Sequence, residues 1–354
     1  MIKIHTSDRN AYRRCRRRWS FKSPLRMHLT PDPAQEILAM WFGTGIHFAL
    51  EEFFGYNRFG DPVVTLDAYL NAFRPEDLPE GAIDEIALGM RMMDYFMMWR
   101  TRRDFYSTLV IDGIPQVEVD FRLELRELSE IAGEPVIYQG TLDRVVEDPY
   151  GGLWVMEYKT AKNIDTNKLA NDPQVRAYVW AAEQIYQRTF EGVLYLQLAK
   201  NAPEPPRTLN NGTISIDKRQ KTVHSMAREA MLKLHPDGKF PAKYIEFLNE
   251  LAEQETPEGD RFIRMDEVRI NDYTKQITYQ HIIAEAREMI DSNLALYPNP
   301  TRDCVWECSD FRAVCIAMDE GSDWEYMLEE FYKEKGEDRQ EWKKRIKWPT
   351  AQAQ

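Results

Sequence analysis

Apolar positions recur along the chain with two periods, and the places where one gives way to the other mark the expected elements. From Ser7 to Leu29, Tyr12, Cys15 and Trp19 fall at i, i+3 and i+7, which predicts an amphipathic helix capped by Ser7. After a proline-containing loop, Gly43-Thr44-Gly45 leads into IHFALEEFFGY, where Ile46, Ala49, Leu50, Phe53 and Phe54 make a second helical stripe. A third helix is predicted over about residues 84 to 105, and its methionines read as adaptable core packing. The period then drops to two. The stretch from 115 to 127, containing QVEVDFRLEL, and residues 136 to 147 and 152 to 159 predict three strands. DPQVRAYVWAAEQIYQ returns to helix, and GVLYLQL at 192 to 198 is an apolar strand. Three strands, a helix and a strand in that order predict an α/β fold with a mixed sheet packed by helices.

Residues 200 to 260 are Pro-rich and polar around one predicted helix, 217 to 235, and read as an insertion. A strand near 262 to 270, a helix over about 271 to 294 and a cysteine-bearing segment follow. The expected organisation is a basic segment at 1–40, a core at 41–199, the insertion at 200–260, a C-terminal strand, helix and cysteines at 261–318, and an acidic, helical tail at 319–354.

At 354 residues and 43% hydrophobic, the chain is long enough to bury a sizeable core. No window approaches the roughly 18 uninterrupted apolar residues of a membrane span, and MIKIHTSDRN has no signal-type apolar run. The expectation is a soluble cytoplasmic protein with no membrane partner. A net charge of -12 argues against a partner held by bulk electrostatics. Distribution changes that picture, because residues 9 to 31 hold seven Arg and one Lys with no acid. Such a run is either a solvated basic helix or a local stripe for phosphates. No phosphate-binding GxxxxGK[ST] loop is present, so the chain carries no motor motif of its own.

The chemistry concentrates in GTLDRVVEDPYGGLWVMEYKTAK, residues 140 to 162. A turn centred on Tyr150 makes opposed residue numbers sum to 300, so Asp143 faces Glu157 and Lys159 projects on the same side. Two opposed carboxylates repel unless something positive sits between them. Hard oxygen ligands suit Mg²⁺ or Mn²⁺, which commonly share waters with substrate phosphates, and a neighbouring lysine can position an attacking water and balance phosphate charge.

Four cysteines, Cys15, Cys304, Cys308 and Cys315, form one distant thiol and a C-x-x-x-C-x-x-x-x-x-x-C triplet. This pattern reads as a metal or cluster site that staples the two ends of the chain. Zinc more often takes C-x-x-C knuckles, a [4Fe–4S] cluster accepts looser spacing, and unliganded thiols are the third reading.

Asp143 followed by Glu157-Tyr158-Lys159 across a hairpin resembles the D…(D/E)xK signature of the PD-(D/E)XK nuclease superfamily. Gln174 and Tyr178 in QVRAYVW resemble the QxxxY motif of its RecB-like exonuclease branch, which includes CRISPR-associated adaptation nucleases and many phage exonucleases. His47, on an upstream helix, stands where that branch has a metal-binding histidine. The proline of the superfamily's name is missing, as it often is in this branch. The resemblance implies a restriction-endonuclease-like fold, with Asp143, Glu157, His47 and the backbone carbonyl of Tyr158 as metal ligands. Lys159 is then the catalytic lysine, and Gln174 and Tyr178 position DNA or that lysine. The branch has one cysteine before the core and three after it, binding [4Fe–4S]; its triplet usually opens C-x-x-C, where this one opens C-x-x-x-C.

The implied activity is exonucleolytic hydrolysis of DNA from a free single-stranded end, in recombination, repair or phage DNA processing, alone or with a recruited helicase. A structure-specific endonuclease and a non-catalytic DNA-binding subunit are the rival readings. Trp19, Trp306 and Phe311 are candidate base-stacking surfaces or packing around the cluster. The arginines around Cys15 are expected to form a basic wall beside the metal, and the acidic tail is expected to cover that face when idle.

Overall fold

The turn after Glu147 sets the register of the strands around it. Asp148 accepts hydrogen bonds from the Tyr150 and Gly152 amides, at 2.8 and 2.9 Å, and from the Trp154 indole at 3.0 Å. Gly151 takes the left-handed φ of 88° that closes the turn, a conformation glycine adopts without steric cost.

The computed structural model describes residues 1–32, 38–167, 169–336 and 341–349. The chain opens with β1 (Ile2–His5), α1 (Thr6–Arg14), α2 (Arg16–Lys22) and β2 (Leu29–Pro31), then α3 (Leu38–Phe54), α4 (Pro62–Leu70) and α5 (Ala82–Arg103). Short strands β3 (Ser107–Thr108), β4 (Val110–Ile111) and β5 (Ile114–Pro115) precede β6 (Val117–Glu124) and α6 (Arg126–Ala132). The hairpin β7 (Val136–Glu147) and β8 (Leu153–Ala161) leads to α7 (Pro173–Tyr186) and β9 (Phe190–Ala199). Helices α8 (His224–Leu234) and α9 (Ala242–Glu253) follow, then β10 (Ile263–Arg269) and α10 (Asp272–Ile290). The C-terminal part holds α11 (Cys304–Glu307), α12 (Arg312–Glu320), α13 (Trp324–Phe331) and β11 (Tyr332–Glu334).

Seven of these strands form one mixed sheet, ordered β1-β7-β8-β9-β10 with β3 and β6 also on β7. This is the restriction-endonuclease-like plan expected from the sequence. Trp154, Met156 and Tyr158 of β8 pack with α3, α4 and α5 on one face, while Leu153 and Val155 pack with α7 and α10 on the other. The alternation expected of a buried strand is therefore kept in β8.

β7 positions the site. One edge pairs with β6 from Ile137 to Arg144. The opposite edge pairs in parallel with β1 at Val136 to Gln139 and antiparallel with β8 at Arg144 to Glu147. Between them, residues 140 to 143 have no strand on that edge, and β8 diverges beyond the Arg144–Met156 pair. The observed pairs keep the predicted sum of 300, so Asp143 stands at the mouth of the divergence with Glu157 across it.

Elsewhere the structure corrects the reading. The expected 7–29 helix breaks at Cys15, whose extended backbone (φ -165°) separates α1 from α2 and turns its thiol toward the C-terminal cysteines; His5, not Ser7, occupies the N-cap position. Gly43-Thr44-Gly45 lies inside α3, because the Tyr69 ring packs within 2.8 Å of where a Cβ on Gly45 would sit. The 200–260 segment carries two helices with a small core of their own around Met231, Tyr244 and Phe247. The tail is tied down: β11 pairs with β2, and Trp342 packs edge-on against Phe48 and Tyr69 in the α3–α5 core. Trp19 and Phe311 are fully buried and offer no face to a base, whereas Trp306 is exposed.

The basic run is already paired. Arg9 and Arg13 reach Glu285, Arg14 and Arg18 reach Glu307, Arg16 reaches Glu288, Arg17 reaches Asp319 and Lys22 reaches Asp310. Arg26 donates to the carbonyls of Met289 and Asp291. These charges knit α1 and α2 to α10 and the C-terminal helices instead of forming an unpaired basic wall. Of the tail's acids, Asp319 alone joins an arginine of the run among the described residues. No helix among the described residues is long and apolar enough to cross a membrane.

Candidate active site

Four elements meet where β7 and β8 part. α3 supplies His47, β6 supplies Glu118, β7 supplies Asp143, and β8 supplies Glu157 and Lys159. Asp143 and Glu157 are buried, at 8% and 1% exposure, so neither carboxylate is satisfied by bulk water.

Each acid is held differently. Asp143 Oδ2 accepts the Tyr158 amide at 2.8 Å, so the side chain fills the place a strand partner would have taken on β8. Its other oxygen lies 3.5 Å from His47 Nδ1, and Glu118 Oε1 lies 3.8 Å from the same nitrogen. His47, Glu118 and Asp143 are the one described trio of metal-type donors lying within 4.8 Å of one another. Glu157 stands outside that trio. Its Oε1 is engaged by Lys159 Nζ and, at 3.1 Å, by the Gln174 amide, whereas its Oε2 is buried with no hydrogen-bond partner.

α7 braces this arrangement. Asp172 caps the helix by accepting the Gln174 amide at 2.8 Å, and one turn on, Gln174 Nε2 donates to the Tyr178 hydroxyl at 2.8 Å. Asn10 of α1 donates to Gln174 Oε1 at 3.3 Å, which fixes the amide so that its nitrogen faces Glu157. Gln174 thus donates to both Glu157 and Tyr178, so the pair expected to position DNA or Lys159 meets the Glu157 carboxylate through Gln174 instead. Tyr158 contributes its N–H to Asp143, while its ring lies on the opposite face, stacked on Phe54, with its hydroxyl accepting from Arg144.

Burial and a shortage of positive charge shape the titration. Burial, reinforced by Asp143, pushes Glu157 up to about 7. Burial also opposes the charge on Lys159 and on His47, but the carboxylates outweigh it: Glu157 and Asp143 hold Lys159 above the usual lysine range, and Asp143 and Glu118 hold His47 well above the usual imidazole value. Asp143 is lowered in spite of its burial by His47, Lys159 and the Tyr158 amide. The site is one in which three buried or half-buried acids face one lysine and one histidine.

Glu118 is the residue that sequence reading missed. In QVEVDFRLEL it alternates like Asp120 and Arg122, and nothing local marks it. Its partnership with β7 is set across α6 and not by a tight turn, so no turn rule gives the register.

The four cysteines converge at the other end of the molecule on one cavity of about 330 Å³, also lined by Arg14, Arg18 and Arg312. Backbone amides of Asn299 and Thr301 donate to Cys15 and Cys304 Sγ, each at 3.3 Å, and Arg17 approaches Cys315 Sγ at 3.8 Å. The Thr301 contact holds the Cys304 thiol below its ordinary value, whereas burial raises Cys308 and Cys315. No three of these sulfurs lie within 4.8 Å of one another.

No curated protein matches the chain. A family model described as the PD-(D/E)XK nuclease superfamily matches residues 6–315, from the start of α1 to the last cysteine, and so takes in every residue of the crevice just described. The chain belongs to that superfamily of metal-dependent nucleases.

Proposed function

We propose that the protein is an exonuclease of the RecB-like iron–sulfur branch, hydrolysing DNA phosphodiesters from a free, single-stranded end. The observation that carries the reading is the junction of Asp143, Glu157, Lys159, Gln174, Tyr178 and His47 in one crevice, with all four cysteines on one separate cavity.

The donors fit a divalent ion. Octahedral ligands at about 2.1 Å lie about 3 Å apart when adjacent and about 4.2 Å when opposite, a range that contains the 3.5 and 3.8 Å separations from His47 Nδ1. The unpartnered Glu157 Oε2 provides a further acceptor in the crevice. His47, Asp143 and Glu157, with the Tyr158 carbonyl, are the proposed ligands, and the imidazole among them favours Mn²⁺ over Mg²⁺. When bound, such an ion polarises the phosphate and lowers the pKa of the attacking water.

The chain's own groups do the rest. Lys159 carries its proton, holds the attacking water and offsets charge on the phosphate oxygens. Gln174, held by Asn10 and Tyr178, keeps Glu157 in place. Arg144, buried under the site and stacked on Phe54, keeps Tyr158 and hence the β8 backbone fixed behind Asp143.

At the cysteine cavity, the triplet opens C-x-x-x-C and lacks the C-x-x-C knuckle that zinc more often takes. The convergence of all four cysteines on one cavity and the amide donors to two of them support a [4Fe–4S] cluster held by Cys15, Cys304, Cys308 and Cys315. The setting proposed is cytoplasmic recombination, repair or phage DNA processing, with a helicase as a possible recruited partner.

The test follows linear DNA labelled at either end, and circular single strands, in Mn²⁺, with protein purified without oxygen and Lys159→Ala in parallel. Loss of linear DNA alone, with an inert variant, is the expected result, and the labelled end gives the polarity. Cutting of circles makes the enzyme an endonuclease. If parent and variant are both inert yet bind DNA, the protein is a binding subunit.

A further inference from the structure

Glu118 has no role in the reading above, yet its carboxylate stands closer to His47 and Asp143 than Glu157 allows itself to. We propose that Glu118 is a direct ligand of the divalent ion, completing with His47 and Asp143 a three-sided cage that Glu157 closes from β8. The proposal rests on the metal-dependent reading of the same crevice.

The backbone is the first argument. Glu118 sits within β6 with φ 47°, in the left-handed region that a non-glycine residue rarely enters. Its neighbours are regular: Val117 pairs with Arg144 and Val119 with Leu142, and the residue between them is the one that departs from the ladder. Strain held at a single position persists where the surroundings over-determine it, and such positions cluster at ligand clamps. Two residues further on, Asp120 offers the control, since it stays in the ladder opposite Thr141 and accepts that side chain's hydroxyl at 2.7 Å on the exposed surface. The same residue class on the same strand meets two fates, and only the strained one points at donors.

The second argument is charge. The Glu118 oxygen is 3.8 Å from His47 Nδ1, beyond hydrogen-bond reach, in a trio whose donor atoms all lie within 4.8 Å of one another, and a dication that displaces the imidazole proton would find all three free to ligate it. Independently, Glu157 Oε2 is buried and unpartnered in the adjoining crevice. Glu51, one helical turn from His47, is matched by Lys343 at 3.0 Å. Three acids face one histidine and one lysine, and a divalent ion at the trio offsets that excess and gives the buried Glu157 Oε2 a partner.

The experiment is Mn²⁺ titration of the full chain without DNA, followed by electron paramagnetic resonance and calorimetry, on the parent and on Glu118→Gln, Glu118→Gly and Asp143→Asn. Glycine accepts the left-handed backbone, so Glu118→Gly removes the carboxylate without asking the strand to refold. Expected is Mn²⁺ binding weakened at least about 10-fold in both Glu118 variants, with the Tm of Glu118→Gly no lower than that of the parent. Binding within twofold of the parent in both Glu118 variants, with Asp143→Asn defective, overturns the role of Glu118 and leaves the metal site standing. A parent that takes up no Mn²⁺ overturns the metal reading and Glu118 with it.

Discussion

The crevice between β7 and β8 and the cavity around the cysteines are built from different donors. In the crevice, Glu118, Asp143 and Glu157 face Lys159 and His47, so acids are in excess and one buried oxygen has no partner. Around the cysteines, Arg14, Arg18 and Arg312 line the cavity together with Glu307 and Asp319, and backbone amides aim at two of the sulfurs. Hard, anionic donors with acids in excess suit a small dication, whereas soft thiol donors suit the iron–sulfur cluster proposed for them.

If the two regions work separately, each can be broken without the other. The largest effect is expected from Asp143→Asn or Lys159→Ala, which lower DNA hydrolysis about 10³-fold or more and leave the brown colour of the proposed cluster unchanged in the same preparation. Colour lost together with activity refutes the separation.

Cys308→Ser tests the other half. If the proposed cluster is held there, the variant loses the colour and about 2–4 kcal/mol of stability, the scale of a crosslink that closes a long loop, while Mn²⁺ binding to the crevice persists. Calorimetric unfolding and Mn²⁺ titration of one sample read both. Gln174→Ala comes next, with kcat lowered about 10–100-fold through the misplaced Glu157 carboxylate and KM for DNA little changed; a change in KM alone assigns Gln174 to DNA contact instead.

A pH series sharpens the charge argument. In metal-free protein the Glu157 carboxyl is raised from 4.5 to about 7 by burial, so the folded state holds a proton the unfolded state releases. That stability is fully present below pH 4.5 and is lost as pH rises through about 7, and Glu157→Gln flattens this part of the Tm profile. An unchanged profile in the variant shows that Glu157 is not the titrating group. The smallest effect belongs to the paired basic run: Arg16→Ala, which removes a surface pair with Glu288, changes stability by about 1 kcal/mol or less. A loss of DNA affinity with a reduced salt slope in that variant makes the run a phosphate contact after all.

The crevice was legible in the sequence where a short-range rule applied. Asp148 and Gly151 fix a tight turn, the turn fixes the sum of 300, and the sum brings Asp143 to Glu157 with Lys159 on the same side. Gln174 and Tyr178 are one helical turn apart, so their contact follows from helix geometry. The break at Cys15 was not legible, because Tyr12, Cys15 and Trp19 keep a helical period across it. The 7–29 stripe reflects burial on a common side by two helices, which periodicity cannot tell from one.

The sequence by itself determined the alternation of the strands, the hairpin register, and which residue types meet at the turn's open end, since each depends on contacts within a few residues. Tertiary structure decided that Glu118 joins His47 and Asp143, that the arginines around Cys15 meet acids of α10 and the C-terminal helices, and that Cys15 reaches a cavity shared with Cys304, Cys308 and Cys315. Those meetings join positions far apart in the chain, where no period or turn sets the geometry and only the packing of helices against the sheet brings the groups together.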